Sequence, residues 1–411
     1  MNGSDTDARS LTKQAGSVRI AILCRHDFSH LEPGDKLHTY DKIRALATQV
    51  DVTLFLPRGY AAREMQSHMK IVQVSQGLFF ALGLVLALFI HRDEYDCVYS
   101  RDPLLMPLAA PMKAFGKILV IEMNGIPSLW AEIHRRSHRI RAPQLTPIIC
   151  ALMHQIEALA IRFADLVFPV TERMRETLLR DYGADPGKII VVPNTVDTDA
   201  FRPLEAGREE TRSRLGIERK TVVLYFGTFT ARWRGTDQLF HVANLVLQRR
   251  EDIVFLVVGS GPLLEGIGND AVGSRALSRV LQVGSVDHHL VPLYLNAADV
   301  YVYDLTQAAV GLIEKQGLCP SKILEAMACG KPVITPKESE LESMLQKSGG
   351  GLSASSMKEL VELIEKLTDS PGLVKSMGVK ARQYVELNHD LTRLTQRMVE
   401  LINETVSSRR E

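Results

Sequence analysis

Residues 321–336, SKILEAMACGKPVITP, join an amphipathic helix to a buried strand through a Cys-Gly turn. Ser321 is a good N-cap, Leu324, Met327 and Ala328 share one face at helical spacing, and Gly330 can take the left-handed conformation that closes a helix. Lys331-Pro332 stops the helix, and Val333-Ile334 reads as a strand. The first helical turn, Ser321 to Ile323, offers backbone N–H groups and a partial positive charge to a phosphate, and Lys322 adds a full charge. One turn further in, the acceptor oxygens of Glu325 could bond vicinal hydroxyls. The alternative is a solvated i,i+3 pair of Lys322 with Glu325.

The same alternation of helix and strand runs outward from this stretch. Val18–Cys24, Val52–Leu56, Cys97–Tyr99, Ile118–Glu122 and Leu166–Val170 are short apolar runs separated by helix-length segments such as Lys36–Thr48, the pattern of an open parallel sheet. A Pro-, Gly- and charge-rich linker at residues 194–219 follows, and the pattern restarts with Thr221–Phe226, Ile253–Val258, Val280–Val283, Val300–Tyr303 and Pro332–Thr335. Helices are expected at Thr236–Arg249, Leu290–Ala297, Ser321–Cys329, Met357–Asp369 and Pro371–Leu387. The α/β reading is two doubly wound units, 18–195 and 196–387, after a flexible tail at 1–17. A last helix at about 388–411 packs back on the first unit in this reading.

A chain of 411 residues with 45% hydrophobic content accommodates two such domains. Lys and Arg number 49 against 48 Asp and Glu, which excludes a whole-molecule basic field for nucleic acid. The five cysteines, Cys24, Cys97, Cys150, Cys319 and Cys329, form no C-x-x-C pair, so neither a disulfide scaffold nor a zinc site is expected. A reducing cytoplasmic compartment fits. The polar first 17 residues lack the apolar core of a secretory signal.

The longest apolar run, Gly77–Ile90 (GLFFALGLVLALFI), would span about 21 Å as a helix against a hydrocarbon core of about 30 Å. A fully buried helix is the preferred reading and partial insertion into one leaflet the alternative. Ile133–Ile156 carries Arg135, Arg136, Arg139 and Arg141, three histidines and no acid. Anionic headgroups or a lipid-linked phosphate would suit it, as would a solvated loop. On the alternative reading the chain makes peripheral membrane contact through 77–90 and 134–141, at the inner face of the cell membrane.

In open parallel sheets ligands bind beyond the carboxyl ends of strands, so candidate residues should follow strands. Gly227-Thr228-Phe229 follows the first strand of the second unit, and Arg232, Arg234 and Gly235 precede its helix, where a diphosphate could lie. Gly259-Ser260-Gly261-Pro262 follows the next strand, Gly284-Ser285 the third and Asp304 the fourth. Each turn alone could be structural.

Together these segments resemble the retaining glycosyltransferases of family 4, which have the GT-B fold of two facing Rossmann-like domains. The resemblance runs from Val18 to about residue 390 and rests on YFGTFTARWRGTDQL, VVGSGP, VGSVDHHLVPLYLNAADVYV and SKILEAMACGKPVITP, the last close to the family's E-A-M-A-x-G-x-P-V-I signature. EALAIRFADLVFPVTERMRETL and KIIVVPNTVDTDAFRP are similar to its segment leading into the interdomain linker.

The resemblance implies transfer of a sugar from a UDP- or GDP-sugar to an acceptor hydroxyl with retention, without an obligatory metal or other cofactor. It places Arg234 where the family usually has Lys, with Arg232 beside it, on the leaving diphosphate; Glu325 on the ribose hydroxyls; Gly259 and Gly261 along the donor; and Gly284 at the base. Thr228 and Ser321 join the donor side, and Gly34 sits where a glycine loop approaches the phosphates. A glycan, lipid-linked or small-molecule acceptor would contact the first unit, with Arg101 and Asn124 orienting groups across the cleft.

Departures accompany the match. The family's first Glu, eight residues before the second, falls on Gly317, and its Arg after the first glycine turn is Thr228. Lys322 is the candidate to face the donor sugar in place of that Glu. The site expectation is therefore Arg234, Arg232, Lys322 and Arg101 as catalytic groups. A catalytically silent scaffold subunit is the rival reading, and a sugar-nucleotide epimerase a third.

Overall fold

The computed structural model describes residues 18–26, 34–60, 69–136, 146–229, 236–265, 276, 278–303, 313–314 and 316–410. The first half runs β1 (Arg19–Leu23), α1 (Gly34–Gln49), β2 (Asp51–Pro57), β3 (Lys70–Val74), α2 (Phe80–Ile90), β4 (Cys97–Ser100), α3 (Met106–Ala109), β5 (Ile118–Met123), α4 (Pro127–Arg136), α5 (Thr146–Phe163), β6 (Leu166–Pro169) and α6 (Glu172–Tyr182). The second runs α7 (Glu205–Leu215), β7 (Thr221–Phe226), α8 (Thr236–Arg249), β8 (Ile253–Val258), α9 (Pro262–Glu265), β9 (Val280–Gly284), α10 (Val291–Ala297), β10 (Val300–Val302), α11 (Ser321–Ala328), β11 (Val333–Pro336), α12 (Ser339–Ser348) and β12 (Gly351–Ala354). Helices α13 (Met357–Thr368), α14 (Pro371–Asn388) and α15 (Leu391–Arg410) follow.

The strands form two six-stranded sheets, ordered β3-β2-β1-β4-β5-β6 and β12-β11-β10-β7-β8-β9, and every strand pair within them is parallel. Strands such as β5 (ILVIEM) and β8 (IVFLVV) are buried along their whole length, which is why they read as continuous apolar runs. The order reverses between β1 and β4 and again between β7 and β10, so each sheet opens a crevice at the carboxyl ends of those strands.

One face of the first sheet packs on α1 and α15, through Ile43 and Leu46 on one helix and Met398 and Ile402 on the other. The other face carries Leu84, Met106, Ala160 and Leu178, from α2, α3, α5 and α6. The chain crosses between domains at residues 194–196 and returns at 388–391, the two crossings lying side by side. Val196 N–H donates to His389 O (2.9 Å) and Leu391 N–H to Val196 O (3.0 Å). His389 Nδ1 lies 2.9 Å from Asn194 O.

Four expectations are corrected. The linker at 194–219 contains α7, whose Arg208 and Arg212 each donate to Asp299 at 2.6 Å; its charges hold a surface helix to the second domain. The run from Gly77 is a 3-10 turn followed by α2, and it is not fully buried: Leu84 and Leu88 face inward, whereas Leu82 is 69% exposed. Strands β3 and β12 escaped the pattern because most of their residues are exposed or half-buried, which breaks the apolar run. Ser321 does not cap α11. The N-cap is Pro320, in extended backbone with no side-chain acceptor, and Ser321 is already helical.

Candidate functional site

Helix α11 enters with no side chain capping its first turn, and the N–H groups of Ile323 and Leu324 reach back to Pro320 O at 3.1 and 3.4 Å. Ile323 through Ala328 are all buried, so the apolar spacing seen in the sequence understates how deeply the helix sits. Gly330, at φ +69°, closes it as expected. Glu325 is carried to the interior and is 2% exposed, which excludes a solvated pair with Lys322.

Two histidines approach one oxygen of that carboxylate. His288 Nε2, beyond β9, lies 3.4 Å from Glu325 Oε1, and His38 Nε2, from α1 of the other domain, lies 3.9 Å away. The His288 ring is braced by Phe201, with centroids 5.3 Å apart. Glu325 Oε2 is buried with no hydrogen-bond partner among the described residues. Burial pushes the Glu325 pKa up, but the His288 hydrogen bond and nearby positive charge, including Lys322, outweigh it and hold the group below the usual carboxylate range. A buried anion with an unused oxygen is unstable unless something donates to it.

Burial takes the pKa of His38 down to about 4, so at neutral pH the ring is uncharged. Its folded value lies below the reference of 6.5, so its contribution to stability is complete above pH 6.5 and is lost as pH falls toward about 4. Replacing His38 by Gln should therefore flatten the acid side: wild type loses more thermal stability than H38Q between pH 7 and pH 4.5. Parallel melting curves would contradict the placement. On the same helix, Asp41 is pushed by burial up to about 6, the opposite sign, with its contribution lost as pH rises through that value.

The glycine turns gather beside α11. Gly259 N–H donates to Gly284 O (2.8 Å) and Phe229 N–H to Ser260 O (2.9 Å), tying the turns after β7, β8 and β9 together. Gly259 has φ +129°, and a Cβ there would stand 1.8 Å from Gly227 O; a Cβ on Gly261 would stand 2.3 Å from Phe229 O. These two glycines are required by backbone packed on backbone, whatever ligand they line. Gly259→Ala is expected to destabilise by about 2–5 kcal/mol, read as a lower denaturation midpoint. Gly284, at φ +84°, differs: nothing lies within 4 Å of a Cβ placed there, which leaves it open to a ligand. Lys322 reaches over the β7 turn, its Nζ 5.2 Å from the Phe226 ring centroid, and Thr228 is partly buried in that turn. Arg232, Arg234 and Asp304 lie outside the described residues; α8 begins at Thr236, just after the two arginines.

In the first domain the sequence missed Glu122, at the end of β5. Its carboxylate accepts from Tyr99 OH at 2.6 Å and stands 3.0 Å from Arg101 Nε and 3.8 Å from Lys42 Nζ. Asn124 Nδ2 donates to it at 3.4 Å, and Asn124 Oδ1 is buried without a partner among the described residues. Arg101, 12% exposed and also bonded to Thr39 Oγ1 at 2.9 Å, is thus engaged inside its own domain. It still lines a cavity of about 380 Å³ at the β1/β4 switch, with Cys24, Arg25, His26 and Tyr60. Burial pushes the Cys24 thiol up to about 12, so it is no nucleophile. Gly34 opens α1 one helical turn before His38. A larger opening of about 710 Å³, lined by Tyr384, His389 and Arg393, lies beside the interdomain crossings, away from the switch points, and is not assigned to the chemistry.

Gly317 sits between the domains. Its φ is +66°, and a Cβ would lie 2.5 Å from Glu340 Cγ and 3.1 Å from Thr171 Oγ1, so a Glu there would strain the backbone and displace the Glu340 side chain. The neighbouring Gln316 latches the domains: its Oε1 accepts from Ile126 N–H at 2.9 Å, and its carbonyl accepts from Thr171 Oγ1. Among the described residues no three His, Cys, Asp or Glu side chains are grouped to hold a metal ion.

Two family models match the chain: Glycosyltransferase Family 4 over residues 36–200 and Glycosyl transferases group 1 over residues 220–370. Among curated proteins it is similar to alpha-D-kanosaminyltransferase of Streptomyces kanamyceticus, 24% identical over 65% of this chain and 68% of that protein. It is 28% identical to D-inositol 3-phosphate glycosyltransferase of Streptomyces bingchenggensis, over 54% of this chain and 49% of that protein. GDP-mannose-dependent alpha-(1-6)-phosphatidylinositol monomannoside mannosyltransferase of Mycolicibacterium smegmatis is 27% identical, over 60% and 63%. The matches span between 49% and 68% of these relatives' own length. Of solved structures, Anabaena HepE in complex with UDP superposes at TM-score 0.74 and 18% identity, covering 94% of this chain and 100% of that one. Sucrose-phosphate synthase from Thermosynechococcus elongatus gives 0.74 at 19%, covering 95% and 100%. The structural likeness is one of fold.

Proposed function

We propose that the chain, which matches Glycosyltransferase Family 4 over its first half and Glycosyl transferases group 1 over its second, is a GT-B glycosyltransferase that moves a sugar from a UDP- or GDP-sugar to an acceptor hydroxyl with retention of configuration. The observation that carries the reading is Glu325, a buried carboxylate inside the first turns of a switch-point helix, with one oxygen near two histidines and the other without a partner among the described residues. A ribose donating its hydroxyls to Oε2 would satisfy it.

In this proposal Arg232, Arg234 and Lys322, with the N-terminal turns of α8 and α11, hold the diphosphate. The acceptor oxygen attacks the anomeric carbon on the face from which the diphosphate departs. The bond from that carbon to the phosphate oxygen breaks as the new glycosidic bond forms, and the acceptor proton passes to the departing phosphate oxygen. No carboxylate serves as nucleophile and no metal is required, so activity should survive chelator. Gly34, Thr228, Gly259, Gly261, Gly284 and Ser321 line the donor, while Asn124, with its unused Oδ1, faces the acceptor. The relative named for phosphatidylinositol monomannoside supports a lipid-linked acceptor, and the one named for inositol 3-phosphate a small-molecule acceptor.

A silent scaffold role is the second reading, favoured by Gly317, which stands where the resemblance has a carboxylate and whose φ of +66° disfavours one. Screening nucleotide sugars by thermal shift tests both. A donor at 100 times its Kd should add about 2.7 kcal/mol of stability. Absence of any shift across UDP- and GDP-sugars would contradict donor binding, and binding with no turnover would favour the scaffold.

A further inference from the structure

We propose that the outer face of the first domain, formed by α2, the segment Ala110–Phe115 and α5, seats on one leaflet of an anionic lipid bilayer. This deepens the reading of a lipid-linked acceptor and rests on it for its purpose, although the surface stands on its own observations. Among the described residues, eleven of the fifteen exposed large hydrophobic side chains lie on the 3-10 turn before α2, on α2 itself, on Ala110–Phe115 or on α5. Globular surfaces scatter such residues; a concentrated patch marks an interface.

The elements share one face of the sheet. Leu84, Leu88, Met112 and Ala160 point into the core beneath them, which turns Leu82, Leu86 and Leu152 outward. The Phe89 and Phe115 rings meet edge to face at 5.4 Å and join α2 to the next segment, and the Arg92 guanidinium stands 4.7 Å from the Phe89 centroid. An arginine over exposed aromatic rings suits the headgroup level, where the ring is apolar and the charge meets phosphate.

Charge selects a bilayer over a second copy of the chain. No acid occurs from Ile133 to Ile156, and the acid on α5, Glu157, is buried and accepts from Ser128 and Tyr182. Asp93 and Glu94, at the end of α2, are paired within the chain, to Arg92 and to Lys70 and His91. The cations at hand are Arg92, beside the exposed Phe89 ring, and Arg162 at the end of α5. A two-fold interface would set this cationic rim against itself, whereas anionic headgroups complement it.

The patch lies on the surface rather than across it. Helix α2 has 11 residues and about 16 Å of length, against a hydrocarbon core of about 30 Å, and no helix among the described residues is long and apolar enough to cross a membrane. Helix α4, beside α5, begins three residues after Asn124, so the seated face adjoins the edge that would receive the acceptor.

Co-sedimentation of the full chain with vesicles, without donor, tests the proposal. The chain should bind vesicles containing phosphatidylglycerol at low salt and bind phosphatidylcholine vesicles more weakly. Leu82→Asp with Leu86→Asp on α2, and separately Leu152→Asp on α5, should each lower binding about tenfold or more, because a charge must then enter the leaflet. All three leucines are exposed, so unchanged melting curves are expected, and transfer to a water-soluble acceptor should be unaffected. A chain that stays in the supernatant with both vesicle types, or variants that bind as wild type does, would overturn the proposal. Concentration-dependent dimerisation abolished by the same variants, without vesicle binding, would assign the face to a second copy instead. Loss of transfer in a chain that still binds vesicles would count against the proposed reaction alone.

Discussion

Arg234→Ala should lower kcat by about 10²- to 10³-fold, the scale of removing one preorganised donor from a developing charge. The residue stands two positions before Thr236 in the sequence, where α8 begins, and in the proposed reaction its charge and that helix's first N–H groups act on the same anion. The diphosphate is already anionic in the bound donor, so part of the loss should appear as a raised KM. The share in kcat reflects negative charge that grows as the glycosyl bond breaks. Arg234→Lys keeps a point charge and should retain activity within about tenfold, consistent with Lys being usual at this position in the resemblance. Near-normal turnover by purified R234A would remove Arg234 from the chemistry and shift the role to Arg232 or Lys322.

Glu325→Ala should raise the donor KM, and the inhibition constant of the free nucleoside diphosphate, by about 10- to 150-fold, the span of one lost hydrogen bond to a charged group at about 1.5–3 kcal/mol. The discriminating comparison uses a donor whose ribose lacks its 2′ and 3′ hydroxyls. Wild type should bind it weakly, and E325A should no longer distinguish it from the natural donor. Because the carboxylate titrates below the usual range, the wild-type preference should persist through pH 5. Equal discrimination by wild type and E325A would place the ribose elsewhere. The variant should remain folded, since removing a buried anion with an unused oxygen also removes its desolvation cost.

The fold was legible wherever a strand is covered on both sides. Runs such as TVVLYF at 221–226 and IVFLVV at 253–258 mark their strands to the residue, because a doubly covered parallel strand has no polar face to interrupt it. At the edges, KIVQV and GLSA lack that signature, and α7 was hidden because a helix fastened by Arg208 and Arg212 to Asp299 looks like a charged linker. The site was legible in its local parts. Glu325 and the glycine turns declare themselves by position after a strand or within a helix turn, and the structure brings them together.

The partners were not legible, because they are distant in the chain. His38 reaches Glu325 across 287 positions of sequence by way of the domain interface. A histidine one helical turn after Gly34, and a lone acid in the apolar strand ILVIEM, were the available signals for His38 and Glu122. The surroundings of Gly317 could not be read at all from sequence, since Thr171 and Glu340 meet there only through tertiary packing. That packing turns an absent carboxylate into a close interdomain contact, and a Glu restored at this position would strain the backbone and displace the Glu340 side chain.

Donor cleavage tests the central claim most directly. Purified full-length chain is incubated with the nucleotide sugar that stabilises it most, and nucleoside diphosphate release is followed with and without acceptor, beside R234A and E325A. The account predicts release that accelerates with acceptor, a product of unchanged anomeric configuration by NMR, and loss of both in the two variants. Donor that binds and stabilises the chain yet is never cleaved, with any acceptor or with water, would contradict it.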